Sequence, residues 1–172
     1  MSAFQSGPTL EPLRFFIAPF AGCVLAAILL ETPLRLWGLR LPEPVFAFVP
    51  AFAWAVVRPS VAGPLMLLIL GLFLDITSNG HMGLWPLALI LAYGFVIVTR
   101  PIMSGQAPVM ILGWYVASCL LGFSVAYLLT MLSALSTPNL IAVFWQFLVT
   151  VALYPLANML IQRFDDADVR FR

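Results

Sequence analysis

The chain has 172 residues, of which 63% are hydrophobic and 9% charged, with a formal net charge of +1. Soluble domains carry about 25% charged residues, so this composition excludes an ordinary soluble fold and describes a polytopic, all-α membrane protein of one integral domain, residues 1–172. All eight cations are arginines and none cluster, which excludes the basic face that a nucleic-acid partner needs.

Residues 1–13, MSAFQSGPTLEPL, contain no cation ahead of Arg14 and read as a short cytoplasmic tail rather than a signal peptide. A first span is expected over 15–30. It carries Ala18, Gly22 and Ala26 at four-residue spacing, a stripe that lets helix backbones approach closely and is assigned to packing within the bundle, with a docking surface for a single-span partner as the alternative. The following segment, ETPLRLWGLRLPEP, alternates Leu and Arg around Trp37. Two readings stand: a segment lying flat on the membrane surface, or an irregular loop anchored by Trp37.

The second span, 44–57, is the shortest, with VFAFVPAFAWAVV between Pro44 and Arg58. A crossing needs about 20 apolar residues, so Arg58 must lengthen it by snorkelling, and a re-entrant segment competes. The turn Arg58-Pro59-Ser60 is too short for anything but a helical hairpin, which favours a full crossing. The third and fourth spans fall at 61–76 and 84–99, the latter stopped by Arg100-Pro101. The fifth, 108–132, carries a second small-residue stripe of Ser118, Gly122, Ala126 and Thr130. The sixth, 140–161, leads through Arg163 into the cytoplasmic tail 162–172. Pro19, Pro50 and Pro155 lie inside spans and are expected to kink them.

The arginines test this count. With the N-terminus inside and six crossings, Arg14, Arg58, Arg100, Arg163, Arg170 and Arg172 face the cytoplasm, and Arg35 and Arg40 face out. That is the bias cytoplasmic loops show. Arg58, Arg100 and Arg163 also end their own helices, where a cation complements unpaired carbonyls. The expected architecture is a compact bundle of six transmembrane helices with both termini cytoplasmic.

Asp75 is the one ionisable side chain expected within a span. An intramembrane acid is costly and is a functional hypothesis by default. A continued helix would place Ser78 and Asn79 on its face, and Asn79-Gly80 then signals a turn. The first amides of the fourth helix, near Gly83 and Leu84, are unpaired and form the positive end of its dipole. A carboxylate at the neighbouring helix end accepts those N–H groups. The expectation is that Asp75 locks the hairpin of helices three and four, with Gly71 and Gly83 permitting close approach. A catalytic or ion-coupling role needs a second ionisable group, and only His81 is near. Cys23 and Cys119 sit in apolar runs without metal-ligand spacing. No catalytic, cofactor or metal constellation appears. Thr150, Gln146, Ser124 and Asn158 are assigned to hydrogen bonds between helices, with the lining of a small-molecule pocket as the alternative.

Gly71, Asp75, Ser78 and Gly83, in the pattern GxxxDxxSxxxxG between two apolar helices, resemble the central motif of the MreD family of bacterial rod-shape-determining membrane proteins. A short proline-led second helix ending in Arg-Pro, and a last helix with a proline running into Arg and acids, are similar to that family as well. The resemblance implies a non-enzymatic protein of the bacterial inner membrane, bound to an MreC-like periplasmic scaffold. Through it the chain would join MreB-like filaments, a RodA-like glycosyltransferase and a penicillin-binding transpeptidase in lateral peptidoglycan synthesis. The competing reading is the vitamin-binding subunit of an energy-coupling-factor transporter, also a small six-helix protein, with Asp75, Asn79, His81 and Trp85 as its thin set of polar and aromatic groups.

Overall fold

The computed structural model describes residues 11–31, 35–36, 39–40, 44–57, 59–78, 82–103, 105–134 and 139–169. Seven helices and one two-residue antiparallel pair make up the described elements. They are α1 (Glu11–Glu31), β1 (Arg35–Leu36), β2 (Leu39–Arg40), α2 (Phe48–Val57), α3 (Ala62–Thr77), α4 (Leu84–Met103), α5 (Pro108–Ala134), α6 (Leu140–Val151) and α7 (Tyr154–Val169). Three stretches are long and apolar enough to cross a membrane: Leu84–Met103, Pro108–Ser133 and Leu140–Gln162. Three further apolar helices are shorter. Between α1 and α2, Arg35 pairs with Arg40 and Leu36 with Leu39 as a two-residue antiparallel ladder.

The six expected spans meet seven helices because the last one breaks. Pro155 has no N–H, so a continuous helix would lose a bond there, and α6 ends before it. At the break, the carbonyl of Thr150 accepts from Leu153 N at 3.1 Å and from the Tyr115 hydroxyl at 3.1 Å. Pro50, expected to kink its span, lies in the first turn of α2, where a missing N–H has no partner to lose. Pro101 does not stop α4, which runs on to Met103.

α2 departs furthest from expectation. It is ten residues long, about 15 Å at 1.5 Å per residue, half of what a crossing requires. Its residues Phe48–Ala55 are all buried, as befits a helix apolar on every side. The lead-in, residues 44–47, is pinned from two directions. Val45 N donates to Thr150 Oγ1 at 3.1 Å, and Cys23 Sγ donates to the Phe46 carbonyl at 3.5 Å. Thr150 stands ten residues from the start of α6 and Cys23 eight from the end of α1. Both place the beginning of α2 roughly 12–15 Å inside the bundle.

The core forms around α2. Phe48 stacks on Phe123 at 5.5 Å, and Phe52 meets Tyr115 edge-on at 5.2 Å. Trp54 is fully buried. A Cβ at Gly122 would lie 2.5 Å from the Phe48 ring, so that glycine makes the seat for the ring on α5. Ser118 and Ala126 of the same stripe are buried beside it.

The α1 stripe behaves differently, and the assignment of it to internal packing is corrected here. Ala18 and Gly22 are exposed and Ala26 is half-buried. A Cβ at Gly22 would meet nothing within 4 Å. α1 stands off from α7, and Gly22 and Ala26 line an apolar groove of about 320 Å³ floored by Val49 and Pro50. Identical spacing on α1 and α5 thus yields one packed seam and one open face.

Candidate functional site

Asp75 sits in the last turn of α3 and is 2% exposed. Its Oδ2 accepts the Gly83 amide at 2.6 Å, and its Oδ1 accepts the Trp85 amide at 3.0 Å. The first N–H groups of a helix have no partner within it. Pro86 brings no N–H, and the Leu87 amide reaches the Gly83 carbonyl at 3.2 Å. The carboxylate of α3 therefore serves as the cap of α4, supplied from the neighbouring helix instead of from the adjoining residue. Its charge faces the positive end of the α4 dipole, and both bonds are charge-assisted. With both oxygens engaged by amides, the arrangement is suited to holding two helices together.

The glycines of the motif have separate tasks. A Cβ at Gly71 would lie 2.6 Å from Pro86 Cα and 2.9 Å from its Cδ, so only glycine lets α3 meet the α4 backbone there. Gly83 has φ +96°, a conformation side chains resist, and a Cβ there would meet nothing within 4 Å. Gly83 therefore turns the chain into α4 and contributes no close approach, which corrects half of the expected glycine role.

Ser78 stands outside this clasp. It is exposed, and its hydroxyl donates to the Leu74 carbonyl at 2.7 Å. Thr77 Oγ1 and the Ser78 amide donate to the same carbonyl at 3.1 and 2.9 Å. These groups close the C-terminal end of α3 and do not touch Asp75's partners. Asn79 and His81, considered as companions of Asp75, lie outside the described residues, as does Arg58. Arg163 is within α7, and its side chain is likewise outside them.

At the opposite end of the bundle, Arg100 caps a helix that is not its own. Its Nε donates to the Val56 carbonyl at 2.9 Å and its terminal amino group to the Val57 carbonyl at 3.2 Å. Arg100 stands in the last turn of α4, at the C-terminal end of its own helix as expected, but the carbonyls it satisfies are those that end α2. Nearby, the Tyr93 hydroxyl lies 3.3 Å from both the amide and the carbonyl of Ser60.

A third polar node centres on Thr150, which the sequence reading placed among the residues that hydrogen-bond between helices. Thr150 is fully buried, accepts from Val45 N and donates to the Gln146 carbonyl at 2.7 Å. With Tyr115 on its own carbonyl, it joins the α2 lead-in, α5 and the α6–α7 break. No spacing rule announces this node. Its legible signs are Thr150 itself, a polar residue deep in an apolar run, and Pro155, which breaks the helix just beyond it; its partner Val45 is not legible.

Beside the clasp, at the Asp75 end, is a cavity of about 100 Å³ lined by Pro44–Ala47, Leu74, Ser78, Trp85 and Gln146. No group of three or more potential metal-ligating side chains occurs among the described residues. In comparisons with known proteins, the chain matches no family profile, no curated protein and no solved structure.

Proposed function

We propose that this chain is a non-catalytic membrane component of the bacterial cell-wall elongation machinery, of the MreD kind, crossing the inner membrane with both termini in the cytoplasm. The observation that carries the reading is the folded form of the GxxxDxxSxxxxG motif. Gly71 and Asp75 act together on one helix start and Gly83 begins it, so three of the four motif positions serve one clasp, while Ser78 closes the end of α3 beside it. In this orientation the Asp75 end faces the periplasm and Arg100 faces the cytoplasm, as positive-inside topology requires. The partner of such a protein is an MreC-like periplasmic scaffold, and through it MreB-like filaments, a RodA-like glycosyltransferase and a penicillin-binding transpeptidase.

A second reading has one observation in its favour. α2 is a half-length helix beginning partway through the bundle, a device found in transporters around their substrate sites. A vitamin-binding subunit would use it to floor an outward pocket. Against this, the cavity at the Asp75 end is about 100 Å³, below the roughly 300 Å³ at which small-molecule sites begin, and the larger groove of about 320 Å³ over Val49 and Pro50 is lined almost wholly by apolar side chains, without the polar groups that fix a vitamin.

Mild-detergent isolation of the chain from its native membranes, with mass spectrometry of proteins and small molecules, separates the two. Recovery of a periplasmic scaffold and cell-wall synthases supports the first reading. Recovery of an ATPase module or a bound vitamin overturns it in favour of the second.

A further inference from the structure

We infer that the protein holds a single-chain, hydroxyl-headed lipid, its head in the recess above α2 at the Asp75 end and its hydrocarbon tail in the groove between α1 and α7. The inference rests on the protein being embedded in a membrane and not on any role in wall synthesis.

Both spaces follow from the fold. α2 begins inside the bundle, so nothing of that helix fills the volume between its lead-in and the end of α3. What remains there is the cavity of about 100 Å³ reached by Leu74, Thr77, Ser78 and Trp85. Beyond it, α1 stands off from α7 and leaves the groove of about 320 Å³, with Pro19, Gly22 and Ala26 on one side and Leu156, Met159 and Leu160 on the other. Cys23 and Phe46 line both spaces, so the two adjoin there. The link between these residues is an S–H···O contact of 3.5 Å. Such a bond is weak, and a tail passing from one space to the other displaces it.

Polarity changes along this path. No side chain lining the groove carries a nitrogen or oxygen atom. The recess presents the hydroxyls of Thr77 and Ser78, the Trp85 indole and the Gln146 amide. A molecule that fits is apolar along its length and polar at one end. Size narrows the choice. One turn of an α-helix, 5.4 Å tall and about 10 Å across, fills roughly 420 Å³, more than the groove, which therefore suits an extended hydrocarbon tail better than a partner's helix. A water takes about 30 Å³ of its liquid, so the recess takes a head of about three such groups, smaller than a phosphocholine or a sugar.

Hydrogen-bond capacity fixes the head. Thr77 Oγ1 and Ser78 Oγ both donate to the Leu74 carbonyl, which leaves them able only to accept. The Trp85 indole N–H can only donate, and it has no acceptor among the described residues. None of the described residues lining the recess is charged. A carboxylate head would accept from the indole, but it offers no proton to the two hydroxyls and finds no counter-charge. A hydroxyl head accepts from Trp85 and donates to Thr77 or Ser78, which satisfies both sides.

The test offers oleyl alcohol, and separately oleate at alkaline pH, to the purified protein in dodecylmaltoside, and reads bound copies by native mass spectrometry across a titration. The expected result is one saturable copy of oleyl alcohol, held about tenfold more tightly than oleate, the worth of one hydrogen bond. Gly22→Leu places its side chain in the groove, where a Cβ meets nothing within 4 Å, and should abolish binding with the unfolding midpoint unchanged. Trp85→Phe should weaken binding by about tenfold. Equal retention of oleyl alcohol and oleate by the wild-type protein overturns the inference, and this comparison needs no variant to fold. Unchanged binding to Gly22→Leu overturns it too, because the tail then lies elsewhere. Uptake that rises without saturation is partition into detergent and also overturns it. Protein that alkaline carbonate strips from its native membranes would overturn the membrane reading and the inference together, a result distinct from loss of binding in an embedded protein.

Discussion

Asp75 and Arg100 close opposite ends of the bundle, each by capping a helix to which it does not belong. The Asp75 carboxylate takes the Gly83 and Trp85 amides at the start of α4, and the Arg100 side chain takes the Val56 and Val57 carbonyls at the end of α2. Unpaired helix-end groups are costly where water is scarce. The two charges also match the dipole ends they face. In a chain with so few charges, these two act between helices, and that relation sets the expectations below.

Asp75→Leu should destabilise the α3–α4 hairpin by about 3–6 kcal/mol, since hydrogen bonds to a charged group contribute roughly 1.5–3 kcal/mol each. Asp75→Asn keeps one acceptor and turns an amide toward the other donor, so it should fall between Leu and wild type. Unfolding in mixed micelles followed by tryptophan fluorescence reads both. Equal stability of all three proteins would show that the clasp contributes nothing.

Substituting glycines should separate three cases. Gly71→Ala drives a methyl group into the Pro86 backbone and should cost about 1–3 kcal/mol, the range for overpacking. Gly83→Ala should cost a similar amount through backbone strain at φ +96°. Gly22→Ala should be silent in the isolated protein, because its Cβ meets nothing within 4 Å. The same unfolding assay checks this ranking, and a Gly22 variant as unstable as the Gly71 one would contradict it.

Thr150→Val removes the acceptor of the buried Val45 amide and should cost about 1–3 kcal/mol, while Thr150→Ser should be close to neutral. Hydrogen exchange of a peptide covering residues 44–52 is the sensitive readout. Faster exchange in Val but not Ser is expected. Unchanged exchange in both would mean that the lead-in is held by packing alone.

Arg100→Met should fray the end of α2 and speed amide exchange across residues 57–63, while Arg100→Lys should rescue only in part. Lysine retains the charge but lacks the planar fork that reaches two carbonyls together. Full rescue by lysine would assign the effect to charge alone.

The Asp75 clasp was legible from sequence because it follows from two local facts: an acid at one helix end and unpaired amides at the next. The open face of α1 was not, since four-residue spacing records that backbones can approach and says nothing about which helix arrives. Gly22 and Gly122 look alike in sequence, and only the Phe48 ring distinguishes them. The length of α2 was hidden for a related reason. An apolar run of thirteen residues fits both a short crossing and a buried half-helix, and the contacts that decide are remote in sequence, Val45 with Thr150 and Phe46 with Cys23. Ser78 misled because helical spacing was extended beyond the point where α3 ends.

Asp75 is architecture, holding the α3–α4 hairpin, and the proposed role in wall elongation would depend on that hairpin. Its most direct test is recovery of the periplasmic scaffold with tagged wild-type, Asp75→Asn and Asp75→Leu proteins from native membranes, alongside the unfolding midpoint of each. Recovery should fall in step with hairpin stability, with Asn between wild type and Leu. An Asn variant as stable as wild type that nonetheless loses its partner as completely as Leu would contradict the account and make the charge itself the functional element.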